Sequence, residues 1–199
     1  MADRAIILDI GGVLELTPAT GWLGRWSRRL GLPADELDRS LADVWAAGEV
    51  GGITERQIER RLAGLGLSAA EVGGFLGDLW HEYLGTANGP LIDYVRGLRG
   101  RCRLGILSNS FVGAREREEA AYGFGSLVEE LLYSHETGLL KPDPAACLQA
   151  AERLGVAPGD CLFVDDVEVN CAAARAVGMA AVRFEGNDTT IARIERFLA

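Results

Sequence analysis

The sequence predicts an α/β fold, in which helices flank a parallel β-sheet and a helical segment is inserted after the first strand. Two observations carry this prediction. Short apolar runs of strand length recur along the chain, and helical patterns separate them, at residues 5–8, 102–107, 130–133, 161–164 and 180–184. Residues 17–89 contain no convincing strand, and their apolar spacing is helical throughout. A chain of 199 residues is long enough for one such domain with an insertion.

The first strand is predicted over residues 5–8. This run, Ala-Ile-Ile-Leu, is apolar and rich in β-branched residues, and it is followed by Asp9 and the pair Gly11-Gly12. Such a pattern is typical of a buried strand that runs into a tight loop. The strand therefore places Asp9 at an edge of the sheet.

The inserted segment is predicted to form three or four antiparallel helices. Thr54-x-x-Gln57 and Ser68-x-x-Glu71 are capping boxes that open two of them. Large aromatic residues usually supply buried area, so we expect most tryptophans of this segment to lie in a helical core. All four tryptophans of the chain fall here: Trp22, Trp26, Trp45 and Trp80.

Two later helices have small apolar faces that suit packing on a sheet. The faces recur at positions i, i+3, i+4 and i+7 from Cys147 and again from Val169. Asp143 is placed to cap the first helix, with Pro144 at its first helical position, and glycines 155 and 178 follow the two helices as C-terminal stops.

Composition makes several classes of function unexpected. The formal charge is −9 with no basic stripe, so nucleic acid is not an expected partner. No apolar stretch approaches the roughly 18 residues that cross a bilayer, and the N-terminal residues 1–9 carry acids, unlike a signal peptide. We therefore expect a cytoplasmic monomer or homodimer. The cysteines show neither C-x-x-C pairing nor a histidine cluster, which predicts reduced packing residues.

Polar side chains follow four of the predicted strands. They are Asp9, Ser108 with Asn109, Lys141 after an intervening loop, and the pair Asp165-Asp166. The loops at the carboxyl ends of parallel strands gather in space, so these groups are expected to converge. Lys141 is the only lysine among twenty basic residues, which suggests a position that requires a compact ammonium.

This combination predicts a site for a divalent cation and a phosphate group. Adjacent carboxylates repel unless a cation neutralises them, and an oxygen-rich site suits Mg²⁺. Lys141 and Ser108 can hold anionic oxygens, and the amides of Gly11 and Gly12 permit close backbone approach. Asp9 would attack phosphorus and form an aspartyl-phosphate.

With these motifs the chain resembles the haloacid dehalogenase-like hydrolase superfamily. Its four motifs stand in order as Ile-Leu-Asp9-Ile-Gly-Gly, Leu-Ser108-Asn-Ser, Lys141-Pro-Asp-Pro and Phe-Val-Asp165-Asp166-x-x-x-Asn170. The resemblance covers the whole chain. It implies a Rossmann-like core formed by residues 1–16 and 90–199, and a helical cap formed by residues 17–89.

The resemblance also implies the metal ligands and the nucleophile. Asp9 would be both nucleophile and ligand, the backbone carbonyl of Gly11 the second ligand, and Asp166 the third. Asp165 would bind through the metal's waters or directly.

Phosphate binding is implied for a second group of residues. Ser108, the amide of Asn109 and the backbone at Gly12 would take phosphate oxygens, while Lys141 neutralises Asp9 and the developing charge. Asn170 would orient the lysine; the other interpretation is a helix-face polar residue satisfied locally.

The first motif departs from the commonest phosphatase pattern at Gly11, where a second aspartate usually protonates the leaving group. A general acid typically contributes about 10²–10⁴-fold to the rate. His81 and Glu15 are candidates for a replacement, Glu15 being the weaker, although a surface or packing role is favoured for His81. A structural loop role is likewise favoured for His135.

The favoured function is that of a Mg²⁺-dependent phosphatase acting on a small phosphorylated metabolite, with sugar phosphates as a candidate class. One alternative is a binding or regulatory protein without catalytic activity. The other is a metal-independent 2-haloacid dehalogenase, which the pair Asp165-Asp166 disfavours because uncompensated acids would repel a carboxylate substrate.

Overall fold

The computed structural model describes residues 4–33 and 35–199 and has the predicted α/β fold. Within these ranges the strands are β1 (Ala5–Leu8), β2 (Glu15–Leu16), β3 (Thr86–Ala87), β4 (Arg103–Ser108), β5 (Glu130–Tyr133), β6 (Cys161–Asp165) and β7 (Ala180–Arg183). The helices are α1 (Trp22–Arg29), α2 (Glu36–Ser40), α3 (Ala42–Glu49), α4 (Glu55–Ala63), α5 (Ala69–Leu84), α6 (Gly89–Arg96), α7 (Ala114–Tyr122), α8 (Ser134–Thr137), α9 (Pro144–Leu154), α10 (Glu168–Ala176) and α11 (Asn187–Leu198).

The main sheet has five parallel strands in the order β5-β4-β1-β6-β7. The first strand of the chain is thus the central one, with β4 and β6 as its neighbours. Chain order reverses direction at β1, and such a switch point opens a crevice at the carboxyl ends of the strands. The residues that end β4, β1 and β6 therefore face the same crevice.

Side chains of β1 alternate between two hydrophobic clusters. Ile6 and Leu8 pack with α6 and α11 on one face of the sheet, whereas Ala5 and Ile7 pack with α9 and α10 on the other. Because both faces of the strand are buried, its sequence is continuously apolar instead of alternating. This explains why the run is such a clear signal.

Strand β4 lies one residue later than predicted. Cys102 forms only an isolated bridge with Arg99, while the register of β4 with β5 extends to the pair Ser108 and Tyr133. Ser108 is therefore the last paired residue of the strand and is held by the sheet. The predicted ends of β6 and β7 were also one residue off, in opposite directions.

The inserted segment contains five helices, α1 to α5, which pack around a third hydrophobic cluster. Both predicted capping boxes are present, at Thr54 and Ser68. The prediction of three or four helices was wrong because the apolar pattern around Leu41 reads as one helix. There the chain divides into α2 and α3, and the Ser40 hydroxyl donates to the Leu37 carbonyl, a local bond that competes with helical continuation.

A short antiparallel ribbon, which the sequence did not predict, stands where the helical segment leaves and rejoins the core. Glu15 of β2 pairs with Ala87 of β3, and Leu16 pairs with Thr86. Strands of two residues are too short to show a period in sequence. The boundaries 17–89 for a cap remain a prediction, and β3 lies inside them although it pairs with β2.

The tryptophan and cysteine side chains lie largely where the sequence predicts them. Three tryptophans, Trp22, Trp26 and Trp80, are buried in the helical cluster, and Trp45 packs at its margin against Phe111, with ring centroids 5.7 Å apart. The four cysteines at positions 102, 147, 161 and 171 are buried free thiols, as predicted. Within the described ranges, no helix combines the length and apolar character needed to cross a membrane. Residues 1–3, which belong to the N-terminal argument, lie outside those ranges.

Candidate active site

Three acidic or hydroxyl side chains meet where the central strands end. Asp9 follows β1, Ser108 ends β4 and Asp165 ends β6, and all three are buried. The adjacency of these strands in the sheet, and not their separation in sequence, brings the three residues together.

The ammonium group of Lys141 joins two of these carboxylates. Its Nζ lies 2.7 Å from Oδ1 of Asp9 and 2.7 Å from Oδ2 of Asp165, and the lysine side chain is only 1% exposed. Removing one partner of a buried ion pair leaves an uncompensated buried charge, which is strongly destabilising. The single lysine of the chain therefore occupies a position where a cation is required.

Asn109 fixes the backbone of this lysine. Its Oδ1 accepts from the Lys141 amide, and its Nδ2 donates to the Lys141 carbonyl, each at 2.8 Å. The predicted helix start downstream is also present, because Asp143 Oδ1 accepts from the Ala145 amide at 2.9 Å. The loop that carries Lys141 is thus tied to the end of β4 on one side and to α9 on the other.

Burial and charge shift the pKa values at this centre. Burial raises the pKa of Asp9 to about 7, against the opposing charge of Lys141 and with a further raising contribution from Asp165. Burial lowers the pKa of Lys141, but the charges of Asp9 and Asp165 outweigh it, so the net shift is upward. Lys141 is therefore held as the charged ammonium.

Asn170 contacts Asp165 and not the lysine, so its contacts match the second interpretation, a helix-face polar residue satisfied locally. Its Nδ2 donates to both carboxylate oxygens of Asp165, at 3.0 and 3.1 Å, and the Val167 amide also donates to Oδ1 at 2.8 Å. Any effect of Asn170 on Lys141 passes through Asp165. Both oxygens of Asp165 already accept hydrogen bonds, so this carboxylate is better placed to reach a cation through water than directly.

The two glycines after Asp9 have different reasons to be glycine. At Gly12, φ is 73°, and an added Cβ would lie 2.4 Å from Oδ2 of Asp166. This position therefore excludes a side chain. At Gly11, an added Cβ would meet nothing within 4 Å and φ is not positive. The absence of the usual aspartate from position 11 is therefore not enforced by space or backbone conformation.

Asp9, Asp165 and Asp166 form a group of carboxylates that could hold a metal ion, with ligand oxygens that all lie within 4.8 Å of one another. Asp166 is half-buried, and burial together with the charge of Asp165 raises its pKa. Three carboxylates face one ammonium here, so the cluster lacks positive charge. Hard oxygen donors with an acidic excess fit Mg²⁺.

A cavity of about 110 Å³ adjoins this centre and is lined by Gly11, Glu15, Thr17, Tyr83, Ser108, Asn109 and Glu118. Glu15 and Glu118 are fully buried. Burial raises the pKa of Glu15 to about 9 and that of Glu118 to about 7. The sequence-based ranking of His81 above Glu15 was therefore wrong on placement, since His81 is exposed on α5 and Glu15 lines the cavity.

His135 has a structural contact, as favoured, but it lies in helix α8 and not in a loop. Its Nδ1 lies 2.7 Å from Oγ of Ser110, and its carbonyl oxygen would be 2.0 Å from a Cβ added at Gly51. Burial lowers the pKa of this imidazole. His135 therefore lies at the contact between α8 and the helical segment, beside the loop that carries Ser108.

Glu118 and Tyr83 also line the cavity, although neither was predicted as a site residue. A signal for Glu118 existed in α7, where Ala114, Glu118 and Tyr122 follow one another at intervals of four on the inward face. An acid on the apolar stripe of a helix is an exception to binary patterning and marks a functional candidate. Tyr83 carries no such signal, because its neighbours on α5 are apolar core residues.

The family model of the haloacid dehalogenase-like hydrolases matches residues 4–178. The chain belongs to this family. The match contains all four strand-end motifs, from Asp9 to Asp166, in one continuous alignment. It agrees with the resemblance inferred from the motifs and identifies the chain as a hydrolase.

Three known proteins are similar to this chain over most of its length. A phosphatase from Mycobacterium tuberculosis is 31% identical over 193 residues, covering 91% of this chain and 87% of its own. A HAD family enzyme from Bacteroides thetaiotaomicron, solved with magnesium and inorganic phosphate, is 20% identical and covers 93% of this chain and 96% of its own, with a TM-score of 0.76. A 2-haloacid dehalogenase from Pseudomonas syringae is 19% identical and covers 100% and 98%, with a TM-score of 0.68. The two structures share the fold, and the phosphatase is the relative with the higher identity.

Proposed function

We propose that this protein is a Mg²⁺-dependent phosphatase that hydrolyses a small phosphorylated metabolite through an aspartyl-phosphate on Asp9. One observation carries the proposal: Lys141 lies 2.7 Å from both Asp9 and Asp165 at adjacent strand ends, with Asp166 beside them. This arrangement combines a nucleophile, a fixed cation and spare carboxylates. The phosphatase relative supports the proposal.

Asp9 is oriented for attack by its neighbours. Its Oδ1 accepts from the Ile10 amide at 2.8 Å and pairs with Lys141, so Oδ2 is the oxygen left to face phosphorus. Lys141 stabilises the carboxylate before attack and the charge that develops on the transferred group. Because Asn109 and Asp165 hold the lysine on two sides, it needs little reorganisation during the reaction.

The carboxylates of Asp9 and Asp166 and the carbonyl of Gly11 would hold Mg²⁺, with Asp165 reaching it through water. When bound, the ion supplies positive charge that offsets the acidic cluster and the phosphate oxygens. The HAD family enzyme of Bacteroides thetaiotaomicron was solved with magnesium and phosphate together, which supports this assignment. Removal of the ion is expected to leave the carboxylates in mutual repulsion.

The phosphate oxygens would be bound around the end of β4. Ser108 lies at the cavity with its hydroxyl, and the backbone amides of Asn109 and Gly12 complete the anion site. The side chain of Asn109 is already engaged with Lys141, so its backbone amide is the group proposed for phosphate.

The dehalogenase alternative rests on a shared fold. It is disfavoured because the site holds three carboxylates against one ammonium, and a haloacid substrate carries a further carboxylate. A protein without activity is disfavoured for a related reason: a repelling buried cluster is costly and has no stabilising role unless it binds a cation.

The proposal is tested by turnover of p-nitrophenyl phosphate with Mg²⁺ and with excess chelator, in the wild type and in Asp9→Asn. We expect turnover to require Mg²⁺ and to fall to background in Asp9→Asn, because an amide oxygen cannot form the acyl phosphate. Asp160→Asn, which alters an exposed carboxylate before β6, is the control and should keep wild-type activity. Full activity in chelator would contradict the metal assignment, and no turnover of this ester under any condition would contradict the phosphatase function.

A further inference from the structure

Two buried acids outside the Lys141 cluster line the cavity beside it. Glu15 comes from β2 and Glu118 from α7, and the same cavity reaches Gly11 and Ser108. Within the described ranges, Oε2 of Glu15 and Oε1 of Glu118 have no well-formed hydrogen bond, although the Tyr83 hydroxyl interacts with Glu118 and lowers its pKa. Leaving a buried polar atom unpaired is unfavourable, because the atom has lost its hydrogen bonds to water. A ligand with donors in this cavity would remove that cost.

The other oxygen of Glu118 is held in place. Its Oε2 accepts from the Tyr133 hydroxyl, which fixes the carboxyl group on the inward side of α7. The backbone of Glu15 is fixed as well, because its amide donates to the Ile10 carbonyl and its carbonyl accepts from the Gly12 amide. Both acids are therefore positioned from the loop and helix that follow the first two motifs.

The remaining lining shows what the cavity can accept. Thr17 and Tyr83 contribute hydroxyl groups, the side chain of Asn109 is engaged with Lys141, and none of the seven lining residues is lysine, arginine or histidine. A carboxylate on the leaving group would have no counter-ion there, whereas hydrogen-bond donors would meet the carboxylate of Glu118 and the side-chain carbonyl oxygen of Glu15, which its raised pKa keeps neutral.

We propose that Glu15 and Glu118 bind the leaving group of the substrate and select a small phosphate ester whose organic part carries hydrogen-bond donors. This assignment rests on the proposed phosphatase function, because it places the leaving group next to Ser108 and Gly11. Hydroxyl groups of a short polyol are the donors expected, and an ammonium group is the other source of the same chemistry.

The size of the cavity limits the organic part. The cavity is small, about 110 Å³. Esters with a leaving group of two or three carbons are therefore suitable probes of its lining.

The experiment compares kcat/KM for four phosphate esters of similar size in the presence of Mg²⁺: glycerol 3-phosphate, phosphoethanolamine, propyl phosphate and 3-phosphoglycerate. We expect an ester with donors to exceed propyl phosphate and 3-phosphoglycerate by about tenfold or more, the effect of about one well-placed hydrogen bond. Whichever of the first two is preferred identifies the donor as hydroxyl or ammonium. Equal rates for glycerol 3-phosphate, phosphoethanolamine and propyl phosphate, or a preference for 3-phosphoglycerate, would overturn the assignment.

Variants test the two acids directly. In Glu15→Met and Glu118→Met the preference for the donor-bearing ester over propyl phosphate should collapse toward one, mainly through KM. Glu15→Gln and Glu118→Gln retain an acceptor and should retain most of the preference. Glu116→Met, on the exposed side of α7, is the matched control. A preference that survives both methionine changes would refute the role of these acids.

Failure of this assignment is distinguishable from failure of the proposed function. If the wild type with Mg²⁺ hydrolyses none of the four esters and neither acetyl phosphate nor p-nitrophenyl phosphate, the phosphatase function itself is wrong. If it hydrolyses the activated phosphates but shows no preference among the four esters, only the leaving-group assignment is wrong. Circular dichroism of each variant shows whether it is folded, and the substrate ratios of the wild type do not depend on any variant.

Discussion

Gly11 is the position where a single side chain distinguishes this site from the commonest phosphatase pattern. The backbone there accepts an aspartate, since an added Cβ meets nothing within 4 Å. The neighbouring Gly12 does not, because its Cβ would overlap the Asp166 carboxylate. Two adjacent glycines in one motif thus answer to different constraints.

We predict that Gly11→Asp accelerates the hydrolysis of alkyl phosphates relative to aryl phosphates, by up to about 10²-fold, because it restores a general acid next to the leaving group. The measurement is kcat against leaving-group pKa, under conditions where phosphoenzyme formation limits the rate. The wild-type plot should fall steeply and the variant plot should be flatter. A wild-type plot that is already flat would mean that another group donates the proton, and Glu15 would then be the first residue to test.

A second prediction concerns Glu118 and pH. Burial raises its pKa from 4.5 to about 7, the hydrogen bond from Tyr133 opposes this shift, and the charge of Asp9 adds to it. The unfolded chain therefore ionises Glu118 at lower pH than the folded protein does. The contribution of Glu118 to the free energy of unfolding is complete below about pH 4.5 and is lost as pH rises to about 7.

Glu118→Gln lacks this loss. Its free energy of unfolding, relative to the wild type, should increase across that window by at most about 3 kcal/mol and stay level above it. Urea unfolding at several pH values with chelator present measures the difference. Parallel curves for the two proteins between pH 4.5 and 7 would contradict the assignment.

Local capping determines where helices of the inserted segment begin. The Ser68 hydroxyl accepts from the Glu71 amide at the start of α5, and Glu71 Oε2 accepts from the Ser68 amide at 2.9 Å. Arg29 of α1 donates to the other oxygen of Glu71, Oε1, at 2.7 Å. The cap therefore joins two helices as well as starting one.

We predict that Ser68→Ala lowers the free energy of unfolding by about 1 kcal/mol at neutral pH, while Ser68→Thr, which keeps the hydroxyl, lowers it much less. The hydrogen bonds from Ser68 and Arg29 lower the pKa of Glu71 to about 2, so their stabilisation is present above pH 4.5 and is lost as pH falls toward 2. The effect of Ser68→Ala should shrink over that range in urea unfolding experiments. A loss equal to that of Ser68→Ala in the threonine variant would argue against the cap.

The inserted helical segment contacts the core closely at two glycines, Gly48 and Gly51. An added Cβ at Gly48 of α3 would lie 1.9 Å from the ring of Phe111, which lies in the loop that follows Ser108. Next to it, the Ser134 hydroxyl donates to the Glu49 carbonyl at 2.7 Å, and the Val112 amide donates to the Gly48 carbonyl at 3.0 Å. This close approach sets the position of α3 against the loop that follows β4.

Gly48→Ala should therefore displace α3 from Phe111 and lower the free energy of unfolding by about 1–3 kcal/mol. It should also raise KM, because the displacement reaches the loop that follows Ser108. Gly73→Ala is the matched control: it lies on the exposed side of α5 with nothing within 4 Å of an added Cβ. That change should stabilise the protein by about 0.5–1 kcal/mol through helix propensity. Urea unfolding and KM for p-nitrophenyl phosphate test both variants, and similar behaviour of the two would show that the Gly48 contact has no effect.

The sequence alone determined the parallel α/β core, the helical insertion and the candidate groups Asp9, Ser108, Lys141 and Asp165-Asp166. These signals are local: a strand buried on both faces is a continuous apolar run, a helix start needs a capping side chain, and the sheet gathers whatever follows its strands. Asp9 and Lys141 could thus be paired before any coordinates were known, although they lie far apart in the chain.

Several contacts of the site and the inserted segment could be established only from the tertiary structure. The target of Asn170, the split of one apolar pattern into α2 and α3, and the ribbon that carries Glu15 all depend on partners distant in sequence. For Glu118 the spacing on α7 gave a signal of an inward position, but its burial beside Glu15 depends on the packing of α7. Burial and pairing are properties of the folded chain as a whole, and for that reason residue type and spacing do not specify them.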